Sequence, residues 1–178
     1  MNLKQRCNNF FKDNGKTWTL LDETYSSSSR VYTNWHRLET KLKSLDKFET
    51  APADRVVLEA SLWLQYSQSV VEPQKNILFA EKILSFDKQL LQGVKAVWNG
   101  DKKSAGDFMH DVELAYLGGT FAEVWSDILN QQIEWSQAFS LEEIHQRYTA
   151  AFKALKNAGG IYKCECFSEL EAGARENV

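Results

Sequence analysis

An antiparallel pair of helices is predicted by residues 118–160, GGTFAEVWSDILNQQIEWSQAFSLEEIHQRYTAAFKALKNAGG. At helical spacing, the apolar residues of the first half fall on one face: Phe121, Val124, Trp125, Ile128, Trp135 and Phe139. Ser140 lies three residues before Glu143, a capping box that begins a second helix. The stripe of that helix is Leu141, Ile144, Tyr148, Ala151, Phe152 and Leu155. A hinge at Phe139–Ser140 joins the stripes, so we expect a helical hairpin at about 120–157 with Trp125 and Trp135 buried in it.

The rest of the chain also favours helices, and we predict an all-α fold, a compact bundle of about six to seven helices. Residues 1–178 form one domain in this prediction, with helices at 3–12, 30–48, 54–71, 74–98 and 104–117. Segment 54–71 has apolar residues around almost the whole circumference of its predicted helix, which indicates that this helix lies in the middle of the bundle. Residues 1–29 are less regular, because 17–25 fits a strand as well as a helix. Residues 161–170 have no clear pattern, and the tail 171–178 is expected to fray.

The composition is that of a globular protein, with 43% apolar and 25% charged residues. A net charge of −3 does not favour direct nucleic-acid binding by bulk electrostatics. The sequence shows neither a targeting signal nor an apolar run long enough for a membrane span. The three cysteines are odd in number, which argues against a disulfide framework. We therefore expect a cytoplasmic protein without a membrane partner.

The charge is unevenly distributed along the chain. Residues 1–48 hold nine Lys or Arg against five Asp or Glu, whereas residues 101–140 hold two against seven. Six of those acids are predicted to form one acidic surface: Asp107, Asp111, Glu113, Glu123, Asp127 and Glu134. Such a surface accelerates encounter with a basic partner, although a merely solvated face has the same appearance in sequence. We predict a protein-binding module, an inhibitor, adaptor or small subunit, whose partner is another protein, basic or nucleic-acid-binding.

A second interpretation starts from Arg30-Val31-Tyr32-Thr33-Asn34-Trp35-His36. This spacing resembles the Arg-(four to six residues)-His motif of HEPN-type ribonucleases, which are small all-helical dimers. The resemblance implies a metal-independent ribonuclease in which His36 transfers protons and Arg30 neutralises phosphate charge. The sequence departs from the family at Val31, where the family usually has a polar residue.

A third interpretation is a di-metal carboxylate bundle. Glu59, Asp87 and Gln132 project toward the apolar stripes of their helices. They are either metal ligands at a polar centre of the bundle or polar groups whose hydrogen bonds are made by neighbouring residues. Such sites use Glu-x-x-His with both ligands pointing inward. This spacing is present at 142–145 and, with aspartate, at 107–110, but Glu142 and His110 project away from the apolar stripes and His145 lies on a flank.

The cysteines and glycines indicate no further chemistry. Cys164, Cys166 and Cys7 lack an evident fourth metal ligand. Phosphate-loop, dinucleotide-binding and nucleophile-elbow patterns are absent from the sequence. We therefore predict no cofactor, no metal and no catalytic residue apart from the alternative pair Arg30 and His36.

Overall fold

The computed structural model describes residues 1–178 as α-helices and short 3-10 helices without a strand. The α-helices are α1 Leu3–Phe11, α2 Lys16–Tyr25, α3 Trp35–Lys47, α4 Pro52–Leu64, α5 Pro73–Ile83, α6 Lys88–Trp98, α7 Lys103–Leu114, α8 Phe121–Trp135, α9 Leu141–Asn157 and α10 Glu171–Asn177. The 3-10 helices are Ala115–Gly118 and Glu165–Leu170. The all-α prediction is confirmed, but six to seven helices was too few, since ten form. Every helix is too short or too polar to span a lipid bilayer.

The predicted helix 74–98 is in fact two helices, α5 and α6, with a break at Leu84–Asp87. Asp87 is the N-cap of α6, and its carboxylate accepts a hydrogen bond from the Leu90 N–H at 2.9 Å. The break allows α6 to pack closely against α4. A Cβ added at Gly93 would lie only 2.8 Å from Val57 Cγ2, so glycine permits this approach.

Residues 1–29 are more regular than predicted, because α1 and α2 pack together through a tight connection. Asp13 stabilises the start of α2, where its carboxylate accepts hydrogen bonds from the Thr17 N–H at 2.7 Å and the Thr17 hydroxyl at 2.6 Å. Trp18 of α2 stacks on Trp35 of α3, with ring centroids 4.4 Å apart. The strand alternative for 17–25 is therefore wrong.

The main core surrounds α4, as its apolar circumference predicted. Leu58, Leu62 and Trp63 of α4 are buried, and helices α3, α5, α6 and α7 all contact α4. Phe108 of α7 is fully buried in the same core and stacks on Phe48. Complete burial of each such side chain stabilises the fold by about 1.5–3 kcal/mol.

The predicted frayed tail is instead helix α10, which closes a second, smaller core. That core consists of Leu117, Val124, Ile128, Ile161 and Ala174. The Asn177 side-chain amide donates to the carbonyls of Leu117 and Gly119 at 2.8 and 2.9 Å. Glu171 accepts hydrogen bonds from the backbone N–H groups of Ile161 and Tyr162. Hydrogen bonds to distant backbone thus order a segment too short to show periodicity.

Helices α8 and α9 form the predicted hairpin, each beginning with a complete capping box. Residues 136–140 connect them, a longer link than the expected hinge. Trp135 is half-buried and stacks on Tyr148 of α9, whereas the predicted burial of Trp125 is wrong, because 52% of that residue is exposed. The buried residues of α8 are Val124, Ile128, Gln131 and Glu134. Helical geometry makes this a rotation of roughly 60° about the helix axis relative to the prediction.

Candidate functional site

Glu134 accounts for the rotation of α8. Only 2% of its side chain is exposed. Its Oε2 accepts hydrogen bonds from the backbone N–H groups of Tyr32 at 2.8 Å and Thr33 at 2.9 Å, and its Oε1 accepts one from the Thr33 hydroxyl. Arg30 Nη1 lies 3.6 Å from Oε1, and its guanidinium is the buried counter-charge. A carboxylate with this many partners turns inward, carrying its side of α8 into the protein.

Asp111 is the second predicted surface acid that is buried. Its Oδ2 accepts hydrogen bonds from the backbone N–H groups of Lys163 at 2.8 Å and Cys164 at 2.6 Å. It therefore holds the segment after α9 against α7. The prediction that Asp111 and Glu134 belong to an exposed acidic surface is wrong, since hydrogen bonds to backbone commit both to the fold.

The other four predicted acids are nearer to solvent but do not form one continuous cluster with free charges. Asp107 pairs with Lys163 at 3.1 Å, and Glu113 forms an ion pair with the buried Lys41. Asp127 lies 3.7 Å from Arg37. Burial raises the pKa of Asp127 and lowers that of Lys41. Glu123 is exposed and belongs to the capping box of α8.

The rotation of α8 exposes a second apolar face. Phe121, Trp125, Leu129 and Ile133, here named the α8 stripe, are 74%, 52%, 41% and 54% exposed. They recur at every fourth position and therefore follow one side of the helix. The rings of Phe121 and Trp125 are nearly parallel, with an interplanar angle of 6° and centroids 6.5 Å apart. A contiguous apolar surface of this kind is typical of an interaction site.

The sequence that carries the α8 stripe is predominantly acidic. The sequence contains no Lys or Arg between Ser104 and Gln146. Exposed acids are Glu123 on α8 and Glu142 and Glu143 in the first turn of α9. Hydrogen bonds from the Thr120 hydroxyl and N–H lower the pKa of Glu123, and the Ser140 N–H and hydroxyl do the same for Glu143. Both therefore remain negatively charged at neutral pH.

The alternative ribonuclease residues lie in different environments. Arg30 is buried, donates to the Thr33 hydroxyl at 2.9 Å and faces Glu134. His36 is exposed at the start of α3. The structure places the Arg30 guanidinium in an internal ion pair, and it does not bring this side chain and His36 together on a common surface.

The three polar residues of the predicted metal centre do not lie together. Glu59 pairs with Arg6 at 2.7 Å, Asp87 is exposed as the N-cap of α6, and Gln132 is half-buried on α8. No three His, Cys, Asp or Glu side chains converge as a metal site would require. Burial raises the pKa of the Cys7 thiol to about 12, and that of Cys164 to about 12. Each of these polar groups is explained by a local structural role or by solvent exposure.

No protein-family model matches this sequence, and neither a curated protein nor a solved structure is significantly similar to it. The candidate site therefore depends on the geometry alone. The spacing of the α8 stripe is present in the sequence, but the apolar pattern there predicts that Phe121 and Trp125 belong to the core. The rotation became visible only through the contacts of Glu134 with a loop about 100 residues earlier in the chain.

Proposed function

We propose that this chain is a protein-binding module that holds an amphipathic helix of another protein against the α8 stripe. The observation that carries the proposal is the combined exposure of Phe121, Trp125, Leu129 and Ile133 on one helix face. At about 1.5 Å per residue, the stripe is roughly 18 Å long and can accompany about three turns of a partner helix. Helix recognition commonly uses anchors at such spacing.

Charge complementarity identifies the chemistry of the partner. The hairpin that carries the stripe has the exposed acids Glu123, Glu142 and Glu143, and its sequence contains no Lys or Arg before Arg147, so the partner helix carries Lys or Arg beside its apolar face. A second copy of the chain would bring like charges together across this surface, which disfavours self-association. The predicted basic partner is thereby retained, but its binding surface moves from the six-acid cluster to the α8 stripe, on a hairpin that also carries the exposed acids Glu123, Glu142 and Glu143.

The test uses a fluorescein-labelled helical peptide of about 20 residues, with leucine on one face and lysine on the other. We expect saturable binding by fluorescence anisotropy that weakens as salt screens the charges. A matched peptide with glutamate in place of lysine should bind at least tenfold more weakly, because its charges repel the exposed acids of the hairpin. Equal binding of both peptides would contradict the proposed charge complementarity.

Variants identify the surface. Trp125→Ala and Ile133→Ala should each weaken binding about tenfold or more, as expected for apolar anchors of an interface. Phe86→Ala and Leu78→Ala are matched controls, because these apolar residues are 101% and 56% exposed outside the stripe. If neither α8 substitution changed the affinity for the peptide, the proposal would be refuted. A concentration-dependent dimer that Trp125→Ala dissociates would assign the stripe to a second copy instead.

A further inference from the structure

A cavity of about 250 Å³ lies between the hairpin of α8 and α9 and the rest of the molecule. Small-molecule sites are typically concave, with apolar and aromatic walls and a few polar groups. An apolar cavity of about 150 Å³ can hold benzene, so this space suits a bicyclic ring system. The lining contains no member of the α8 stripe, so a ligand here would not compete for the surface of the proposed function. Six aromatic side chains line the cavity: Tyr32, Tyr66, Tyr116, Trp135, Tyr148 and Phe152.

Contacts within the protein hold the aromatic walls in place. On the hairpin, Trp135 and Tyr148 stack with ring centroids 5.5 Å apart, and the Tyr148 hydroxyl donates to Gln131 at 3.0 Å. On the opposite wall, the Arg37 guanidinium carbon lies 4.7 Å from the centroid of the Tyr32 ring and covers one of its faces. Walls that are ordered before a ligand arrives lower the entropic cost of binding it.

Tyr32 contributes a polar group that has no partner in the protein. Its backbone N–H donates to Glu134, but its hydroxyl forms no hydrogen bond within the chain, although only 9% of the residue is exposed. The hydroxyl oxygen is not fully enclosed, and Tyr32 lines the cavity. Burial raises the pKa of Tyr32, so the hydroxyl stays protonated and can donate at neutral pH. Buried polar groups normally have a partner, which a ligand can supply here.

The charges of the lining favour a neutral ligand. Glu113 and Arg147 are the charged lining residues. Glu113 forms an ion pair with Lys41. The Arg147 guanidinium carbon lies 4.2 Å from the ring centroid of Phe139, which does not line the cavity. A charged ligand would therefore give up its water without gaining a free counter-charge inside the cavity.

We propose that the cavity binds a small neutral bicyclic aromatic molecule that carries one hydroxyl or N–H group. Its rings pack against the aromatic walls in stacked or edge-on contact. Its polar group forms a hydrogen bond with the Tyr32 hydroxyl, which can donate or accept. The site thus selects by ring size, by neutrality and by one hydrogen bond.

The probes are 2-naphthol and 2-methylnaphthalene, which have nearly the same shape but differ in the hydroxyl group. Equilibrium dialysis gives their dissociation constants. Indole N–H signals in nitrogen-15 correlation spectra locate them, and Trp135→Phe assigns the signal of Trp135. We expect saturable binding of 2-naphthol with a shift of the Trp135 signal. 2-Methylnaphthalene should bind about three- to tenfold more weakly, because it cannot form the hydrogen bond.

Tyr32→Phe tests the hydrogen bond directly, because it keeps the ring and removes only the hydroxyl. The hydroxyl has no partner in the protein, so we expect the variant to fold like the wild type. Its affinity for 2-naphthol should fall about three- to tenfold, whereas its affinity for 2-methylnaphthalene should not change. Equal losses for the two probes, or an unchanged affinity for 2-naphthol, would overturn the proposal.

Charged analogues test neutrality. 2-Naphthoate and 2-naphthylmethylammonium should each bind at least about tenfold more weakly than 2-naphthol, because neither finds a free counter-charge. Tighter binding of the anion would assign the cavity to Arg147 chemistry, and tighter binding of the cation would assign it to the aromatic ring faces. Either result would overturn the proposal.

Two neighbouring alanines of α9 test the position. Both are exposed, but Ala151 lines the cavity and Ala150 does not. Ala151→Phe should weaken binding of 2-naphthol about tenfold or more by occupying the space, and Ala150→Phe should leave it unchanged. Trp125→Ala should also leave it unchanged, which separates the cavity from the α8 stripe. Equal affinities of the two alanine variants, binding that does not saturate, or a shift centred on Trp125 would each contradict the proposal.

Discussion

Replacing Glu134 with glutamine tests whether a buried carboxylate determines the rotation of α8. Glutamine has nearly the same shape, and its carbonyl oxygen can still accept from the N–H groups of Tyr32 and Thr33. The substitution removes the negative charge that faces Arg30 at 3.6 Å. Hydrogen bonds to charged groups contribute about 1.5–3 kcal/mol and neutral ones about 0.5–1.5 kcal/mol. With three such bonds weakened and Arg30 left uncompensated, we expect the free energy of unfolding to fall by about 2–4 kcal/mol.

Urea unfolding followed by circular dichroism and tryptophan fluorescence measures this loss. Glu142→Gln is the matched control, because Glu142 is an exposed glutamate in the first turn of α9. A surface change of this kind should alter the free energy of unfolding by no more than about 0.5 kcal/mol. If both variants lost the same small amount, Glu134 would be a surface residue in solution and the reasoning about α8 would be refuted.

Three further predictions concern exposure, pH and RNA. Trp125→Ala should lower the free energy of unfolding by less than about 1 kcal/mol, against about 3–5 kcal/mol for a buried tryptophan, as measured by urea titration. Backbone hydrogen bonds lower the pKa of Glu171 below its usual 4.5, so its stabilisation is present above that pH and disappears as pH falls through the folded-state pKa. The melting temperatures of the wild type and Glu171→Gln should therefore converge on acidification below about pH 4.5. Single-stranded RNA should remain intact with purified protein because Arg30 pairs internally, and cleavage abolished by His36→Ala would restore the ribonuclease hypothesis.

The sequence predicted helices and the central position of α4 because both follow from local apolar periodicity. It did not predict which side of α8 is buried, since that helix has apolar residues on two faces. The choice depends on Glu134, whose partners are the backbone N–H groups of Tyr32 and Thr33. Backbone groups of a distant loop leave no mark in the hydrophobic pattern, so the candidate site could be located on α8 but not correctly oriented.

The break between α5 and α6 is a second feature that hydrophobic periodicity does not reveal. The apolar arc continues from 74 to 98 in sequence, and periodicity alone describes one long helix. The apolar pattern predicts that Asp87 is a polar residue on an apolar helix face, whereas the structure shows that it is the N-cap of α6. The only sign of the break in the sequence is Asp87, a residue type that favours the N-cap position, within the continuous apolar pattern.

The loop that Glu134 holds has a consequence for the order of events during synthesis. Residues 32 and 33 leave the ribosome about 100 residues before their carboxylate partner, at the usual N-to-C direction of growth. Until α8 has been made, the N–H groups of Tyr32 and Thr33 can only donate hydrogen bonds to water. Arg30 likewise lacks the buried carboxylate that neutralises its charge in the folded protein. The helices that precede α8 can collapse around α4 early, but the loop at Tyr32 and Thr33 reaches its final hydrogen-bonded state only after α8 has been translated.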